Sequence, residues 1–544
     1  MKRYLPDWLE NAIFYQIYPQ SYYDTNADGI GDLPGITQKL DYVQSLGCNA
    51  IWLNPCFESP FQDAGYDISD FYKVASRYGT NADLKRLFAQ ARRRGIRVVL
   101  DLVAGHTSIE HPWFKESSRP ERNKYSDWFI WTSDWITNGY PAVRTIGGYA
   151  QRNAQFMINF FYSQPALNYG FIDPSAPWQM PIDAPGPRAV RAELKKIMRF
   201  WLDMGCDGFR VDCAPACIKA QTREKMFASQ NDLWQDVHDM LSREYPESVL
   251  VAEWFNPAQA VEAGFHVDFP RDNGVDMGLD HVIGRHHTNS CKTYFAKSGD
   301  GDACRFFDAY FQQEPALKGR GYVAFYTGNH DNYRMSLGKD KRMQEMVFAM
   351  VLTLPGVPFI YYGDEIGMRY LDVPTKEGGY TRTGCRTPMQ WSAKRNAGFS
   401  DAPAKSLYLP IDPRADRPTV AAQEDDPLSL LNTVRALTSL RRNSKALSAR
   451  GEFRALHLRA CAYPLVYLRR WRHERYIIAL NPCRDAAKVS LETKAVYGSR
   501  RADADEMSDG IRLERLNGFG ADITRRGSKL IVEMRGCSYG IFRA

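Results

Sequence analysis

The fold class is decided by the stretch from Val190 to Asp212, VRAELKKIMRFWLDMGCDGFRVD. Five apolar side chains of this stretch share one face of a helix: Val190, Leu194, Ile197, Trp201 and Leu202. Gly205 is the residue expected just past the helix end. The short run Gly208–Cys213 follows and is typical of a strand buried on both faces. A helix that leads directly into a buried strand is the repeating unit of a parallel α/β sheet.

The same helix and strand pattern recurs along the chain. Amphipathic segments such as Asn81–Arg94, which Gly95 ends, separate many of the strand candidates. Eight short apolar or aromatic runs are predicted strands: Ala12–Tyr18, Asn49–Leu53, Arg97–Val103, Gly208–Cys213, Ser248–Trp254, Gly264–Phe269, Tyr322–Tyr326 and Val357–Tyr361. This order predicts an α/β protein with a (β/α)8 TIM barrel, and an open, doubly wound sheet is the alternative.

Two regions do not follow the barrel repeat. About 85 residues between the third strand and the helix at Val190 are rich in Trp, Tyr, Asn and Pro and lack a helical period, which predicts an inserted domain. From about Gly451 the chain changes to short alternating runs, which predict a C-terminal antiparallel β-sandwich domain. The predicted domains are the first part of the barrel at 1–105, the inserted domain at 106–187, the second part of the barrel at 188–450, and the C-terminal β domain at 451–544.

Composition excludes several classes of protein. Hydrophobic residues make up 44% of the chain and charged residues 24%, a globular composition that excludes disorder. The net charge of +7 is small and its basic residues are scattered, so nucleic acid is not an expected partner. No secretion signal is recognised, and the apolar stretch Met346–Tyr362 is too short and too interrupted by Pro and Gly to span a membrane. Eleven scattered cysteines favour reduced thiols in the cytoplasm.

Polar side chains follow four of the predicted strands at the point where each strand ends. The four segments are Asp101-Leu-Val-Ala-Gly-His106, Gly208-Phe-Arg-Val-Asp212, Val251-Ala-Glu253 and Gly328-Asn-His-Asp331. The carboxyl ends of barrel strands meet at one face, so three carboxylates, Arg210 and two histidines are expected in one pocket. Glycosyl transfer through an oxocarbenium-like transition state needs one ionised carboxylate, one protonated carboxylic acid and an electrostatic partner.

Together with three further segments, these strand ends resemble a known family. The segments are Asp24-Thr-Asn-Ala-Asp-Gly-Ile-Gly-Asp32, Gln164-Pro-Ala-Leu-Asn168 and Arg386-Thr-Pro-Met-Gln-Trp391. From Ala12 to about Trp391 the chain resembles family 13 of the glycoside hydrolases, the α-amylase family. Within that family it is most similar to the branch of oligo-1,6-glucosidases, α-glucosidases and trehalose synthases.

The resemblance implies a role for each matched residue. Asp212 would be the nucleophile, Glu253 the general acid/base and Asp331 the third carboxylate, which holds sugar hydroxyls. Arg210 would lie beside Asp212 and keep it ionised, because a nearby cation lowers a carboxylate pKa. The other implied sugar contacts are His106 and His330 in the first subsite, Tyr66 as a stacking platform and Asp63 on the distal hydroxyls. Asp63 and Tyr66 belong to a segment similar to the pocket-closing motif of exo-acting members.

Metal binding is expected at one place and not at another. Gly105 and Ala166 stand where the amylases have oxygen ligands for a calcium ion between barrel and inserted domain, so that site is expected to be absent. The segment from Asp24 to Asp32 instead alternates oxygen ligands, with Gly29 for the bend, as a hard cation requires. The predicted ligands of a structural Ca²⁺ or Mg²⁺ are Asp24, Asn26, Asp28, the carbonyl of Ile30, and Asp32. An Asx-rich surface loop is the alternative, and no catalytic metal or cofactor is expected.

These features predict a cytoplasmic, retaining α-glucoside hydrolase that releases glucose from the non-reducing end of short oligosaccharides through a covalent glucosyl-Asp intermediate. In the branch that the chain resembles, the residue after the nucleophile is associated with linkage preference, and the small Cys213 favours α-1,4 over α-1,6 linkages. One alternative is an α-glucosyl transferase or isomerase of the trehalose synthase or sucrose isomerase type. A remote alternative is a non-catalytic family member, although all three acids are present. A small oligosaccharide is the expected partner, and the oligomeric state is open.

Overall fold

Eight parallel strands form a closed barrel in the computed structural model, which describes residues 4–134, 144–270, 278–284, 293–378, 380–498 and 510–544. Its strands are β1 (Phe14–Ile17), β2 (Ala50–Leu53), β3 (Arg97–Leu102), β4 (Gly208–Val211), β5 (Val249–Ala252), β6 (Val267–Asp268), β7 (Tyr322–Tyr326) and β8 (Val357–Tyr361). Consecutive strands are neighbours, and β1 also pairs with β8, with Phe14 opposite Phe359. This last pairing closes the sheet, so the predicted TIM barrel is confirmed and the open sheet is wrong.

Helices lie between the barrel strands along the described chain, and the last three follow β8. They are α1 (Leu33–Gln38), α2 (Leu40–Ser45), α3 (Asn81–Arg93), α4 (Pro112–Ser117), α5 (Pro185–Met204), α6 (Arg223–Glu244), α7 (Pro257–Ala263), α8 (Leu279–Ile283), α9 (Cys304–Leu317), α10 (Lys341–Thr353), α11 (Val420–Glu424), α12 (Leu430–Arg442) and α13 (Thr493–Tyr497). Helix α5 begins at Pro185, before the first apolar position at Val190, because proline suits the first turn of a helix. The helix is followed by Gly205, whose left-handed backbone, with φ of 119°, is a conformation that glycine adopts without strain.

The sixth barrel strand is much shorter than the predicted run Gly264–Phe269. Helix α7 ends at Gly264 in a left-handed conformation with φ of 114°, so the turn out of the helix uses the first part of that run. The remaining strand β6 has two residues. It still pairs with both neighbours, because Val267 lies opposite Val251 of β5 and Tyr322 of β7.

The region between β3 and α5 contains a small sheet and the short helix α4. Its three antiparallel strands are Trp131–Thr132, Arg144–Ile146 and Gln155–Ile158. The ring of Phe114 on α4 lies 4.9 Å from that of Phe156 and 5.6 Å from that of Trp131. The Tyr169 hydroxyl donates a hydrogen bond of 2.7 Å to the Ala104 carbonyl, just after β3. Aromatic packing therefore forms the core of this region, and a buried hydrogen bond ties it to the barrel.

The C-terminal region is one six-stranded antiparallel sheet. Its strands are β9 (Glu452–His457), β10 (Leu465–Trp471), β11 (Glu474–Asn481), β12 (Ala487–Glu492), β13 (Glu514–Arg526) and β14 (Lys529–Arg543). The first residues of the long strand β14 pair with β12 and the last pair with β11. Val466 and Ile477, from β10 and β11, share a buried cluster with Ile523 and Val532, from β13 and β14. The predicted β-sandwich thus takes the form of a single sheet folded over its own core.

The apolar stretch Met346–Tyr362 is part of the barrel. Most of it forms the end of helix α10 and the whole of strand β8, and nearly all of its side chains are buried. Among the helices that the structure describes, none combines the length and the apolar character that a membrane span requires.

Trp201 on α5 offers a test of this packing. Its indole is 0% exposed, its ring stacks on Phe57 with centroids 4.9 Å apart, and its Nε1 donates to the Phe71 carbonyl at 2.8 Å. Trp201→Ala should destabilise the protein by about 3–5 kcal/mol, because it opens a cavity and leaves a buried carbonyl without its donor. The matched control is Trp471→Ala, since that ring is 37% exposed and its loss should have a small effect. Equal shifts of the urea midpoint in the two variants would contradict the packing.

Candidate active site

Arg210 lies at the centre of the pocket at the carboxyl ends of the strands. Its Nη1 donates to Oδ1 of Asp101 and to Oδ1 of Asp212, both at 2.9 Å, and its Nη2 lies 2.7 Å from Oε2 of Glu253. The Arg210 side chain is 3% exposed, so these bonds form away from bulk water. One guanidinium therefore joins carboxyl groups from three neighbouring strands.

The register of the barrel explains this convergence. Asp101 of β3 lies directly opposite Arg210 of β4, and Val251 of β5 is opposite Arg210 on the other side. Side chains alternate along a strand, so residues two positions apart point to the same side. Asp212 therefore shares the side of Arg210, and Glu253 shares that of Val251. The alternation of side chains along β4 and β5 is therefore enough to bring Asp212 and Glu253 close to Arg210.

Arg210 lowers the pKa of Asp212, as expected of a neighbouring cation, but two larger influences act in the other direction. Burial and the neighbouring Glu253 carboxylate raise the pKa of Asp212 well above its ordinary value, and the lowering effect of Arg210 is smaller. Burial likewise raises the pKa of Asp101 to about 6, against the lowering effect of Arg210.

Glu253 is fixed by the residue that follows Asp212. The backbone N–H of Cys213 donates to Oε2 of Glu253 at 3.0 Å, and the Cys213 Sγ lies 3.5 Å from the same oxygen. On the other side, the N–H of Trp254 donates to Oδ1 of the buried Asp268 at 2.9 Å. Contacts before and behind the carboxyl thus set the position of Glu253 relative to Asp212.

Asp331 is the centre of a second charged group. Its Oδ1 accepts from Arg382 at 3.0 Å and from Arg386 at 3.2 Å. Arg382 also donates to Oδ1 of Asp63 at 3.2 Å, and Gln164 donates to Oδ2 of Asp63 at 2.7 Å. Burial raises the pKa of Asp63 to about 6, against the lowering effects of Arg382 and Arg386. Arg382 thus bridges the two acids that were assigned to sugar hydroxyls.

Tyr66 and two histidines connect the two charged groups. The Tyr66 hydroxyl donates to Oδ2 of Asp101 at 2.9 Å and lies 2.7 Å from Nε2 of His330. His330 Nε2 is also 3.2 Å from Oδ2 of Asp331, while His106 Nε2 lies 3.1 Å from the Tyr66 carbonyl. Burial lowers the pKa of His106 to about 3 and that of His330 well below its ordinary value, so both rings are neutral. Neutral imidazoles suit hydrogen bonds to sugar hydroxyls.

The structure therefore brings the candidate catalytic and sugar-binding residues into one connected network: Asp63, Tyr66, His106, Arg210, Asp212, Glu253, His330 and Asp331. Sequence reasoning assigned no role to Asp101, Arg382 or Arg386. Two of them carried a signal, because Asp101 opens one strand-end segment and Arg386 opens a family motif. Arg382 carried none, because its contacts with Asp63 and Asp331 join distant parts of the chain.

The candidate metal loop lies apart from this network, against residues 399–408. Asp24 Oδ1 accepts from the N–H groups of Asn26 at 3.0 Å and Ala27 at 2.8 Å, and Asp28 Oδ1 accepts from Ile30 N–H at 2.8 Å. In the same way Asp32 Oδ2 accepts from Thr25 N–H at 2.8 Å. Backbone N–H groups of the loop therefore already donate to the carboxylates of Asp24, Asp28 and Asp32. That donor set fits a hard cation and equally an Asx-rich loop, so the metal site stays a prediction.

A buried ammonium lies between the barrel and the inserted region. Lys219 Nζ contacts Oδ1 of Asn159 at 3.2 Å and the carbonyl of Ala216. Asn159 Nδ2 in turn donates to the carbonyl of Gly105 at 2.8 Å. Burial lowers the pKa of Lys219 to about 8. Asn159 thus connects the carbonyl of Gly105 to the side chain of Lys219. Gly105 is one of the two positions at which the sequence lacks a calcium ligand.

Comparison with known proteins agrees with this geometry. Residues 16–450 match the model of the α-amylase catalytic domain. The chain belongs to the α-amylase family. It is therefore an enzyme of the glycoside hydrolases, and the remote alternative of a non-catalytic member finds no support in a pocket that keeps all three acids.

Several members of the family resemble the chain over most of its length. Trehalose synthase/amylase TreS of Mycolicibacterium smegmatis is 33% identical over 499 residues, which cover 83% of this chain and 78% of that protein. An oligo-1,6-glucosidase of Parageobacillus thermoglucosidasius is 30% identical over 498 residues, which cover 80% of this chain and 84% of that protein. The crystal structure of the trehalulose synthase MutB from Pseudomonas mesoacidophila matches with a TM-score of 0.78 and 26% identity, over 98% of this chain and 99% of MutB.

We propose that the loop from Asp24 to Asp32 binds a structural Ca²⁺ or Mg²⁺. A cation bound only to the folded state stabilises it by mass action, so EDTA should lower the melting temperature while the rate at low temperature stays nearly unchanged. Asp28→Ala should reduce the bound metal content and lower the melting temperature in the presence of the ion. Asp401→Ala removes another exposed carboxylate, outside the loop, and serves as the control.

Two outcomes would contradict the metal loop. One is that EDTA abolishes the activity of protein that remains folded. The other is that Asp28→Ala changes neither the metal content measured by elemental analysis nor the melting temperature.

Proposed function

We propose that the protein is a retaining α-glucoside hydrolase that releases glucose from the non-reducing end of short α-linked oligosaccharides. The observation that carries the proposal is the closeness of Asp212 and Glu253. A carboxylate oxygen of Asp212 lies no more than 4.8 Å from a carboxylate oxygen of Glu253. Retaining glycosidases hold their two carboxyl groups about 5–5.5 Å apart, whereas inverting enzymes need about 6.5–9.5 Å to admit a water between them.

The reaction follows from the positions of the two acids. Glu253 donates its proton to the glycosidic oxygen as the bond from that oxygen to C1 breaks, and Asp212 bonds to C1 to form a β-glucosyl ester. Glu253, now a carboxylate, then takes a proton from water, whose oxygen attacks C1 and releases Asp212. Two displacements at C1 return the α-configuration. The negative charge around Arg210 favours the positive charge that develops on the sugar ring.

Charged contacts at one end of the pocket support attack at the end of the substrate chain. Arg382 bridges Asp63 and Asp331, and Gln164, from the inserted region, holds the other oxygen of Asp63. These contacts join three parts of the chain beside the first-subsite residues. A glucosyl unit bound there has its distal hydroxyls facing charged groups, and the rest of the oligosaccharide extends in the other direction. The small Cys213 beside Glu253 supports α-1,4 linkages on the acceptor side.

Intramolecular transfer is the second candidate function, and the names of some relatives support it. TreS is named as a trehalose synthase and amylase, and MutB as a trehalulose synthase. Solved structures of MutB variants contain isomaltulose, glucose or sucrose. A transferase of this type uses the same carboxylates and differs in whether water or the released sugar attacks the glucosyl ester.

We infer a reducing compartment, the cytoplasm, for this activity. The cysteines of the described residues are all free, which supports the expectation of reduced thiols. The proposed partner is a small oligosaccharide, in keeping with the sugars bound by the MutB structures.

The two proposed roles predict different effects of two isosteric substitutions. Asp212→Asn should remove nearly all activity, because no other group can form the glucosyl ester. Glu253→Gln should keep measurable turnover of aryl α-glucosides with acidic leaving groups, which need little protonation, while turnover of maltose is lost. Steady-state rates on both substrates give the comparison. Equal fractional losses of Glu253→Gln activity on the two substrates would show that Glu253 is not the general acid.

The products from disaccharides decide between hydrolysis and transfer. Incubation with maltose should give glucose alone, and proton NMR of the first turnovers should show the α-anomer, because two displacements retain configuration. Trehalose or another isomer would favour the second candidate, and β-glucose as the first product would contradict a nucleophilic Asp212. A matched incubation with isomaltose tests the linkage, where slower hydrolysis than of maltose is expected.

A further inference from the structure

Strand β6 is attached to β5 by side chains as well as by the ladder of the sheet. The ladder itself joins the two strands through only two pairs of residues. Just before β6, Nδ1 of His266 accepts a hydrogen bond of 2.9 Å from the N–H of Leu250. At the other end, Oδ1 of Asp268 accepts one of 2.9 Å from the N–H of Trp254, beyond the end of β5. Side chains thus supply bonds that a longer strand would make with its backbone.

The bond at Asp268 acts on the backbone of the candidate general acid. Trp254 follows Glu253 directly, so a partner for its N–H fixes the peptide unit that joins the two residues. Asp268 is 0% exposed, so water does not compete for this bond. The carboxyl of Glu253 is held separately, by Arg210 and by the N–H of Cys213. The backbone of Glu253 therefore depends on Asp268, and its carboxyl depends on the other two residues.

The turn after Glu253 has a conformation that needs such a restraint. Residues 253–256 alone connect the end of β5 to the start of helix α7. Within this turn Phe255 has a left-handed backbone with φ of 67°, which is unfavourable for a large side chain. A turn of this kind persists only where the surrounding structure holds it in place. Removal of the bond to Asp268 would let the turn relax and move Glu253, its first residue.

The carboxyl of Asp268 acts through its oxygen and does not need a negative charge. Burial raises its pKa to about 8, although the nearby N–H groups of Trp254, Phe269, Phe255 and Asn256 act in the opposite direction. Near neutral pH the group therefore carries a proton on one oxygen and accepts through the other. A side-chain amide has the same acceptor oxygen, whereas leucine has a similar branched shape and no acceptor.

We propose that Asp268 is a positioning residue for proton transfer by Glu253, because its Oδ1 holds the N–H of Trp254 and thereby aims the Glu253 carboxyl at the glycosidic oxygen. This inference rests on the proposed function, in which Glu253 protonates that oxygen. A general acid has to lie within about 2.6–3.2 Å of the atom it protonates, so a small displacement impairs proton transfer more than sugar binding. Asp212 is at the end of β4, and its attack on C1 does not depend on this turn.

Substrates that differ in their need for a proton give the first test. The proteins are the wild type, Asp268→Leu, Asp268→Asn and, as the matched control, Asp207→Leu. Asp207 is also buried and accepts from a backbone N–H, that of Val98 at 2.9 Å, but at the amino ends of the strands. Asp268→Leu should lower kcat on maltose by about 30-fold or more and leave KM nearly unchanged. An aryl α-glucoside with an acidic leaving group should lose less than about threefold, because its departure needs little protonation.

The other two variants should keep the wild-type ratio of the two activities. Asp268→Asn retains the acceptor oxygen, and Asp207→Leu lowers stability without touching the turn. An unchanged ratio in folded Asp268→Leu, or a ratio in Asp268→Asn as low as in Asp268→Leu, overturns the proposal. Wild type that converts maltose into an isomer would contradict the hydrolase and not this role. The rate of maltose consumption still reports the same first proton transfer.

Hydrogen exchange tests the bond without substrate and stands even if the proposed activity is wrong. Deuterium uptake of the peptide that contains residues 253–256 should be faster by about tenfold or more in Asp268→Leu than in the wild type. Uptake by the same peptide should be unchanged in Asp268→Asn and in Asp207→Leu. If Asp268→Leu does not fold, Asp268→Ala replaces it in both tests. Equal uptake in the wild type and in the folded variant without the acceptor would show that Asp268 does not hold the turn, and the proposal would be abandoned.

Discussion

The buried guanidinium of Arg210 is the interaction on which the rest of the pocket depends. It joins carboxyl groups at the ends of three neighbouring barrel strands, at 2.7 to 2.9 Å. Buried carboxylates without such a partner would repel one another and take up protons. With one cation for three acids, the group stays compact and still has an excess of negative charge. That excess is what a positively charged sugar ring would neutralise.

The barrel supplies the geometry that this interaction requires. Because β3, β4 and β5 are parallel and in register, Asp101 is opposite Arg210, and Asp212 and Glu253 point to the same side of their strands. Short loops then refine the positions. The Cys213 N–H fixes Glu253 from one side, and the bond from Trp254 to Asp268 fixes its strand end from the other. The distance between the two acids is thus set by backbone elements and not by flexible side chains alone.

A large part of this arrangement could be predicted from the sequence, because it rests on local patterns. The period of the apolar residues gives the helices and strands, and polar residues after strands mark the pocket. What depends on distant parts of the chain could not be predicted. Arg382 meets Asp63 and Asp331 only after folding, and strand β6 is short because the turn at Gly264 uses its first residues.

The pKa values of the pocket carboxyl groups could not be predicted from the sequence either. A cation next to an acid predicts a lowered pKa, and Arg210 does act on Asp212 in that direction. Burial and the charge of Glu253 outweigh the effect of Arg210, and both depend on how deeply the fold encloses the pair. The folded C-terminal sheet is a similar case, since strand length alone does not show that β14 pairs with both β11 and β12.

Trapping the glucosyl-enzyme tests the central claim most directly. In a 5-fluoro-α-glucosyl fluoride the ring fluorine slows both displacements, and the good fluoride leaving group keeps ester formation faster than ester breakdown. The covalent species therefore accumulates on a retaining enzyme. Digestion and mass spectrometry should find one added fluoroglucosyl group, on the peptide that contains Asp212. A label on Glu253 or Asp331, or complete turnover through an inverted product with no labelled peptide, would contradict the account.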